Sequence, residues 1–530
     1  MKNSKIDPLI FWPSLLIILS MCITSIIWPD ATGNTVNSVM TWIVDNFGWA
    51  YLVVGLAMAA LLFWLAMGRY GRVKFGGPTE KPEFSTFTWI SMLFCAGIGS
   101  SLVYWSIIEP IYYMQTPPFG LTPGSHDAAE WAATYGAFHW GITCWSWYTI
   151  ATIPIAYSYY VRKETRLTLS MASKSVLGKH VNGPIGKAMD VAVMFGIIGG
   201  VGTSLGLGTP MIAACIGRIF HIPQSFWLNI VILVIWSVIF GTSVCLGLKK
   251  GIARLSDLNI GLALALALFV LVAGPTAFIL NTFTNSLSLM FDNYFRMSLW
   301  TDPIAKSGFP QSWTIFYWAW AVGYSPMMGL FVARISRGRT IRELIMGMCI
   351  WGPLGCWIYF AVFGCYSLNI ELYGAQSMTA LMAEQGAAQA IVTILESLPF
   401  GTYLLPLFVV LMFVFLATTL DSSAYILASV STKELHSEEE PARWNRLLWA
   451  IILALMAVMM FSIGGLKVIQ ASSIVLAFPL MFALLVMVWS FMKSIKEDYG
   501  ELLAPPLLQR VEYENGEKKE LPVSIKKIAA

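Results

Sequence analysis

Apolar stretches long enough to cross a lipid bilayer recur from one end of this chain to the other, and no other feature limits its fold so tightly. A helix needs about 20 apolar residues to traverse the hydrocarbon core. Twelve segments reach that length, at 9–28, 47–68, 87–114, 131–158, 188–217, 225–247, 257–281, 313–333, 343–367, 401–430, 447–465 and 470–492. In lipid each segment must satisfy its own backbone polar groups, so these segments read as helices. The expected fold class is an all-α membrane protein with twelve transmembrane helices. Composition agrees: of 530 residues, 57% are hydrophobic and 12% charged. That is too little charge for the shell of a soluble protein of this length. The first apolar stretch, Leu9 to Trp28, has no small-residue cleavage site and reads as a retained helix.

Lys and Arg fix the orientation. Basic clusters fill the even-numbered connections, as in Arg69/Arg72/Lys74/Lys81, Arg162/Lys163/Arg166 and Arg334/Arg337/Arg339/Arg342. The connections at 29–46, 115–130 and 368–400 contain neither residue. Both termini are therefore expected in the cytoplasm, with the chain in a bacterial inner membrane. The basic residues form no stripe interleaved with aromatics on a soluble domain, so nucleic acid is not an expected partner. The eight cysteines show no CxxC spacing, and neither a disulfide framework nor a metal centre is expected. No HExxH and no nucleophile–base pair occurs, so the chain does not read as an enzyme, and no cofactor is expected. Residues 286–300 carry an amphipathic pattern, residues 374–397 read as a non-spanning outer helix, and the charged tail after Tyr499 reads as disordered at its end.

Secondary transporters place their sites where spanning helices are interrupted at matching points of two repeats. The third span carries Gly97 and Gly99 in Phe94-Cys95-Ala96-Gly97-Ile98-Gly99-Ser100-Ser101, and the eighth carries Gly323 and Pro326 in Gly323-Tyr324-Ser325-Pro326. These expected breaks lie five spans apart, the spacing of a five-plus-five inverted repeat preceded by two peripheral helices. The expected layout is residues 1–85 as N-terminus and peripheral helices, 86–285 as the first repeat, 286–310 as a connecting helix, 311–495 as the second repeat and 496–530 as a cytoplasmic tail. Glu109, followed by Pro110, reads as capping or orienting the broken helix. In the tenth span, Thr418-Thr419-Leu420-Asp421-Ser422-Ser423 concentrates oxygen-bearing side chains where lipid makes them costly. They suit a small monovalent cation, or else bond back to their own helix carbonyls.

The fourth span carries Trp140, Trp145 and Tyr148 within an arc of roughly 140° at 100° per residue. The eighth repeats Trp313, Tyr317, Trp320, Tyr324, Met328 and Phe331 as one helical stripe. A quaternary ammonium cannot donate a hydrogen bond, and proteins attract it with the faces of aromatic rings. Trp145, Tyr148, Trp320 and Tyr324 lie deep enough to serve. Trp131, Trp313 and Tyr317, near span ends, read as belt or packing residues.

Trp318-Ala319-Trp320 followed by Ala333-Arg334-Ile335-Ser336-Arg337-Gly338-Arg339-Thr340-Ile341-Arg342 resembles the signature of the betaine/choline/carnitine transporter family, as does Phe138-His139-Trp140 with Trp145 and Tyr148. The similarity covers about residues 8–495. Tyr112-Tyr113 before Thr116-Pro117-Pro118, and Thr301-Asp302-Pro303-Ile304-Ala305-Lys306, look most like the carnitine/γ-butyrobetaine exchangers. The resemblance implies alternating access, a homotrimer and an aromatic box, here Tyr112, Trp140, Trp145, Tyr148, Trp320 and Tyr324, with Met328 beside the substrate. It also implies a sodium site from Cys95, Ile98, Thr418 and Thr419. Two departures matter. Ala321 stands where the family commonly has a second tryptophan, which opens one wall of the box. Thr418 and Thr419 follow the sodium-using pattern, and Asn259 stands where the exchanger has arginine. The expected function is sodium-coupled import of a quaternary-ammonium zwitterion: carnitine, γ-butyrobetaine or betaine. The alternatives are sodium-independent carnitine/γ-butyrobetaine exchange, or choline/glycine betaine symport.

Overall fold

A computed structural model describes residues 6–96, 99–164, 166, 168–246, 249–433, 440–463, 466–500, 512–514 and 517–519. The chain is helical throughout its body. In order come α1 (Pro8–Ile27), α2 (Pro29–Met67), α3 (Thr86–Ala96), α4 (Ser100–Gln115), α5 (His126–His139), α6 (Ile142–Tyr160), α7 (Leu169–Ala172), α8 (Lys174–Leu177), α9 (Pro184–Phe220), α10 (Phe226–Leu246), α11 (Lys249–Ala273), α12 (Thr276–Asp292), α13 (Tyr294–Leu299) and α14 (Ile315–Ile335). Then follow α15 (Ile341–Met346), α16 (Gly352–Tyr359) and α17 (Cys365–Tyr373), joined by π-helical turns into one rod, and α18 (Met378–Gln385) and α19 (Ala387–Glu396). The chain closes with α20 (Gly401–Val430), α21 (Arg443–Ile463), α22 (Leu466–Tyr499) and a hairpin pairing β1 (Glu512–Glu514) with β2 (Glu517–Lys519). The rest of the tail, expected to be disordered, lies outside the described residues.

Each of the twelve expected segments holds helix, but not all as single straight spans. Among the described residues, eight helices are long and apolar enough to cross a membrane, or nine if the bent pair α11–α12 counts as one. Three more segments fall short of that test of length and apolarity. Two are divided helices, α3–α4 and α5–α6, and α10 is a short apolar helix over its described part, Phe226–Ile239. The 257–281 span ends early. Gly274-Pro275 turns the chain by 108°, and α12 takes up the amphipathic role expected only from residue 286. Pro275 supplies no amide hydrogen and disfavours helix at the residue before it. The connection expected at 29–46 is also helix: α2 starts at Pro29, with proline at its first position.

Apolar side chains on the outer helices face outward, as lipid allows. Trp227 is 73% and Phe63 69% exposed. The centre is α14, packed against α6, α9 and α22. Every side chain from Ile315 to Val322 is buried, so this helix is shielded on all sides. Gly323 and Pro326 were expected to break it, yet α14 runs unbroken to Ile335. Pro326 leaves the Val322 carbonyl without its helical donor, and the Ser325 hydroxyl bonds that carbonyl at 2.7 Å. Gly323 serves packing: a Cβ there would stand 2.7 Å from the Gly196 carbonyl oxygen, so α9 and α14 cross backbone to backbone.

The arginine-rich run after α14 closes the other end of that helix. Backbone hydrogen bonds join Phe75 to Gly338 and Arg339, and Ile341 to Val73. Gly338 sits at φ +78°, where a Cβ would meet the Lys81 carbonyl oxygen at 2.5 Å. Arg339, 4% exposed, bonds the Phe84 carbonyl and Thr86 and covers the Trp89 ring at 4.8 Å. Arg337 pairs with Glu80, whose carboxyl is held below the usual range first by the Gly77 amide and also by that guanidinium. Thr340 and Glu343 form a capping box that starts α15. The motif thus ties the α2–α3 connection to the α14–α15 turn.

Candidate aromatic site

α14 projects Tyr317, Trp320 and Tyr324 at helical spacing, and Trp140 meets them from the junction of α5 and α6. That junction is a kink no sequence signal had marked: Trp140 and Gly141 leave helical geometry between His139 and Ile142. The ring contacts are edge-on. Trp140 to Trp320 is 5.2 Å at 66°, Trp320 to Tyr324 is 5.0 Å at 67°, and Trp140 to Tyr317 is 5.8 Å at 63°. In an edge-to-face pair the edge of one ring covers one face of the other, and the opposite face stays available to a third group.

Small residues of α9 make room for these rings. The Trp320 indole N–H donates to the Gly200 carbonyl at 3.2 Å, and a Cβ at Gly200 would lie 2.8 Å from the Tyr324 ring. The Tyr324 hydroxyl shares a 2.6 Å hydrogen bond with Ser204, which shares one of 2.7 Å with Ser101. A hydroxyl chain therefore leads from the rings to the first turn of α4. That helix begins at Ser100 after Gly99, which is extended at φ −148° and ψ −179°. Gly97 and Ile98 lie outside the described residues. Cys95 closes the last turn of α3 in backbone terms only.

The other expected box residues stand apart in their ring contacts. Trp145 packs edge-on against Tyr148 at 5.5 Å and lies over Gly352, whose added Cβ would be 2.3 Å from the indole. Tyr112 contacts Trp105 and Trp313 at 6.4 and 5.5 Å. Met328 is buried, and it is Met327 whose sulfur meets the Ser423 hydroxyl, at 3.3 Å. Ala321, expected to open a wall, is 0% exposed.

Thr418 and Thr419 both donate to the Phe415 carbonyl at 2.9 Å. Both hydroxyls thus bond back to their own helix, the second of the two readings of this segment; the helix satisfies their hydrogens, and their oxygen lone pairs remain. Asp421, within a turn of the threonines, pairs with Arg446 at 2.8 Å, so that guanidinium charge is matched. Asn259 donates to the Leu411 carbonyl at 3.0 Å and joins α11 to α20.

Sequence reasoning undervalued Glu109, Tyr317 and Trp313. Glu109 lies inside α4, well past its start, so it does not cap the break. Its side chain is 0% exposed and accepts from the Tyr113 hydroxyl, the Tyr317 hydroxyl and, at 3.1 Å, the Trp140 indole N–H. Tyr317 and Trp313, expected as belt or packing residues, are interior, at 0% and 3% exposure. His139 stacks on Tyr317 at 4.9 Å and bonds Tyr113 and Thr314. The Glu109–Tyr113 pair, four residues apart on one apolar helix, was the available signal. Among the described residues, no group of three or more His, Cys, Asp or Glu side chains could hold a metal ion.

The family model described as BCCT, betaine/carnitine/choline family transporter, matches residues 9–500.

Proposed function

The chain belongs to the betaine/carnitine/choline transporter family, a family of multi-pass membrane transporters rather than enzymes, and from that premise we propose that its substrate is a carnitine-like zwitterion. One observation carries this reading. The rings of Trp140, Trp320 and Tyr324 connect through Ser204 and Ser101 to the first turn of α4. Rings attract a trimethylammonium group. A helix start offers free amide hydrogens and a positive dipole end, which favour a carboxylate. A substrate with both groups bridges the two; choline reaches only the rings. Transport by alternating access then follows from different substrate affinities in two states.

Sodium is the proposed coupling ion, held between the α3–α4 break and the oxygens of Thr418 and Thr419. Sodium-independent exchange of carnitine for γ-butyrobetaine is the rival, favoured by the back-bonding of both threonines. A homotrimer in the bacterial inner membrane with cytoplasmic termini completes the proposal, on the Lys/Arg asymmetry and the family. Binding of carnitine, glycine betaine and choline to the purified protein tests the substrate class. Carnitine and glycine betaine are expected to bind more tightly than choline; a preference for choline would contradict the zwitterion reading.

A further inference from the structure

Glu109 places a carboxylate where an apolar membrane interior ordinarily refuses one. It is wholly buried, and among the described residues the only basic group within ion-pair distance is His139, at 3.8 Å. An ionised group taken from water without a partner is costly, and hydrogen bonds must offset the loss. Three are present: Tyr113 donates to one oxygen, while Tyr317 and Trp140 donate to the other.

Proton counting defines the network. An ionised carboxylate only accepts, which suits three donors and no acceptor. Tyr113 has one hydrogen, and giving it to Glu109 obliges it to accept from His139 Nδ1, 2.6 Å away. His139 Nε2 is then the acceptor for the Thr314 hydroxyl at 3.0 Å. With the ring neutral in that tautomer and the carboxyl ionised, the cluster as a whole keeps one negative charge with no cation against it.

Two of the three donors belong to rings of the aromatic site. Oε2 of Glu109 holds Trp140 and Tyr317 by their polar edges, and both of these rings pack edge-on against Trp320, at 5.2 and 6.1 Å. Gripped at its N–H, the Trp140 indole cannot swing away from Trp320. The N–H···carboxylate bond also shifts electron density toward the ring face, which deepens its attraction for a cation.

We propose that Glu109 is a positioning residue for the aromatic site. Its carboxylate fixes Trp140 and Tyr317 and supplies, through them, the uncompensated negative charge that selects a quaternary ammonium over an uncharged group of the same shape. The proposal rests on the aromatic site being the place where substrate binds.

The test is calorimetric titration of purified protein with choline and with dimethylbutanol, its uncharged tert-butyl isostere, by displacement where affinity is low. Glu109→Gln keeps size and removes charge. It is expected to weaken choline binding by about tenfold, within the range of a cation–π contact, and to move the isostere by less than about twofold. Equal losses for both ligands would show a packing role and overturn the proposal, as would no loss for either. Tyr317→Phe, which removes only a hydroxyl that donates to the carboxylate and keeps the ring, is the second variant and stands alone should Glu109→Gln fail to fold. It is expected to show the same ligand-selective loss, and, where Glu109→Gln folds, the two substitutions combined are expected to cost less than their sum. Full additivity would overturn the link through Tyr317. Wild-type protein that binds neither choline nor any zwitterion would overturn the functional reading itself. Wild-type binding with unchanged Glu109→Gln selectivity would overturn only this inference.

Discussion

At the residue scale, each ring of the aromatic site performs two tasks, and substitutions separate them. Trp320 makes edge-to-face contacts with Trp140, Tyr317 and Tyr324 and anchors to Gly200 through its N–H. Trp320→Ala deletes the π-face, and loss of substrate affinity by about tenfold or more is expected from a binding assay. Trp320→Phe keeps a weaker face and is expected to retain part of it. Equal behaviour of two folded variants would make packing the better account. Gly200→Ala is expected to disturb the same ring from the other side, since its Cβ would lie 2.8 Å from Tyr324. Titration of that variant should show weakened binding in a protein that still purifies as a folded species. The stripe from Tyr317 to Tyr324 was legible because α14 is a regular helix and its spacing survives folding. The grouping of the rings was not. Trp145 and Tyr148 share a helix face with Trp140 only if the fourth span is straight, and the kink at Trp140-Gly141 turns Trp140 toward α14 and Trp145 onto Gly352.

At the scale of helices, composition located the elements and misjudged how they bend. A proline after a glycine reads as a break, and at Gly274-Pro275 it makes one. At Gly323–Pro326 the same signal does not, because Ser325 fills the orphaned carbonyl and Gly196 accepts the close approach of Gly323. Ser325 stands inside the motif itself, whereas Gly196 on α9 is not visible from local sequence. Gly323→Ala is therefore expected to act through packing: its Cβ meets a backbone oxygen that cannot rotate away. A destabilisation of about 1–3 kcal/mol, typical of overpacking, should appear in thermal unfolding of the detergent-solubilised protein. An unchanged midpoint would mean that α9 and α14 do not cross as described. The run from Arg337 to Arg342 was legible as a family marker. Its physical work, fastening the α2–α3 connection through Gly338 and Arg339, needed the fold, because its partners lie more than 240 residues away.

At the scale of the molecule, ion and substrate are proposed to act on one equilibrium. If sodium stabilises the α3–α4 break against α20, it raises substrate affinity, and substrate raises sodium affinity by the same factor. Thr418→Ala combined with Thr419→Ala is expected to abolish that mutual effect while the rings still bind weakly. Titrations in sodium and in potassium check it, and identical affinities in wild-type protein would favour the exchanger. The central claim, that this chain moves a quaternary-ammonium zwitterion through a site built on Trp320, is tested most directly by uptake of labelled carnitine into proteoliposomes. Wild-type vesicles should accumulate label, glycine betaine and γ-butyrobetaine should compete, and Trp320→Ala vesicles should match empty ones. Absence of uptake in either salt, or uptake that survives Trp320→Ala intact, would contradict the account.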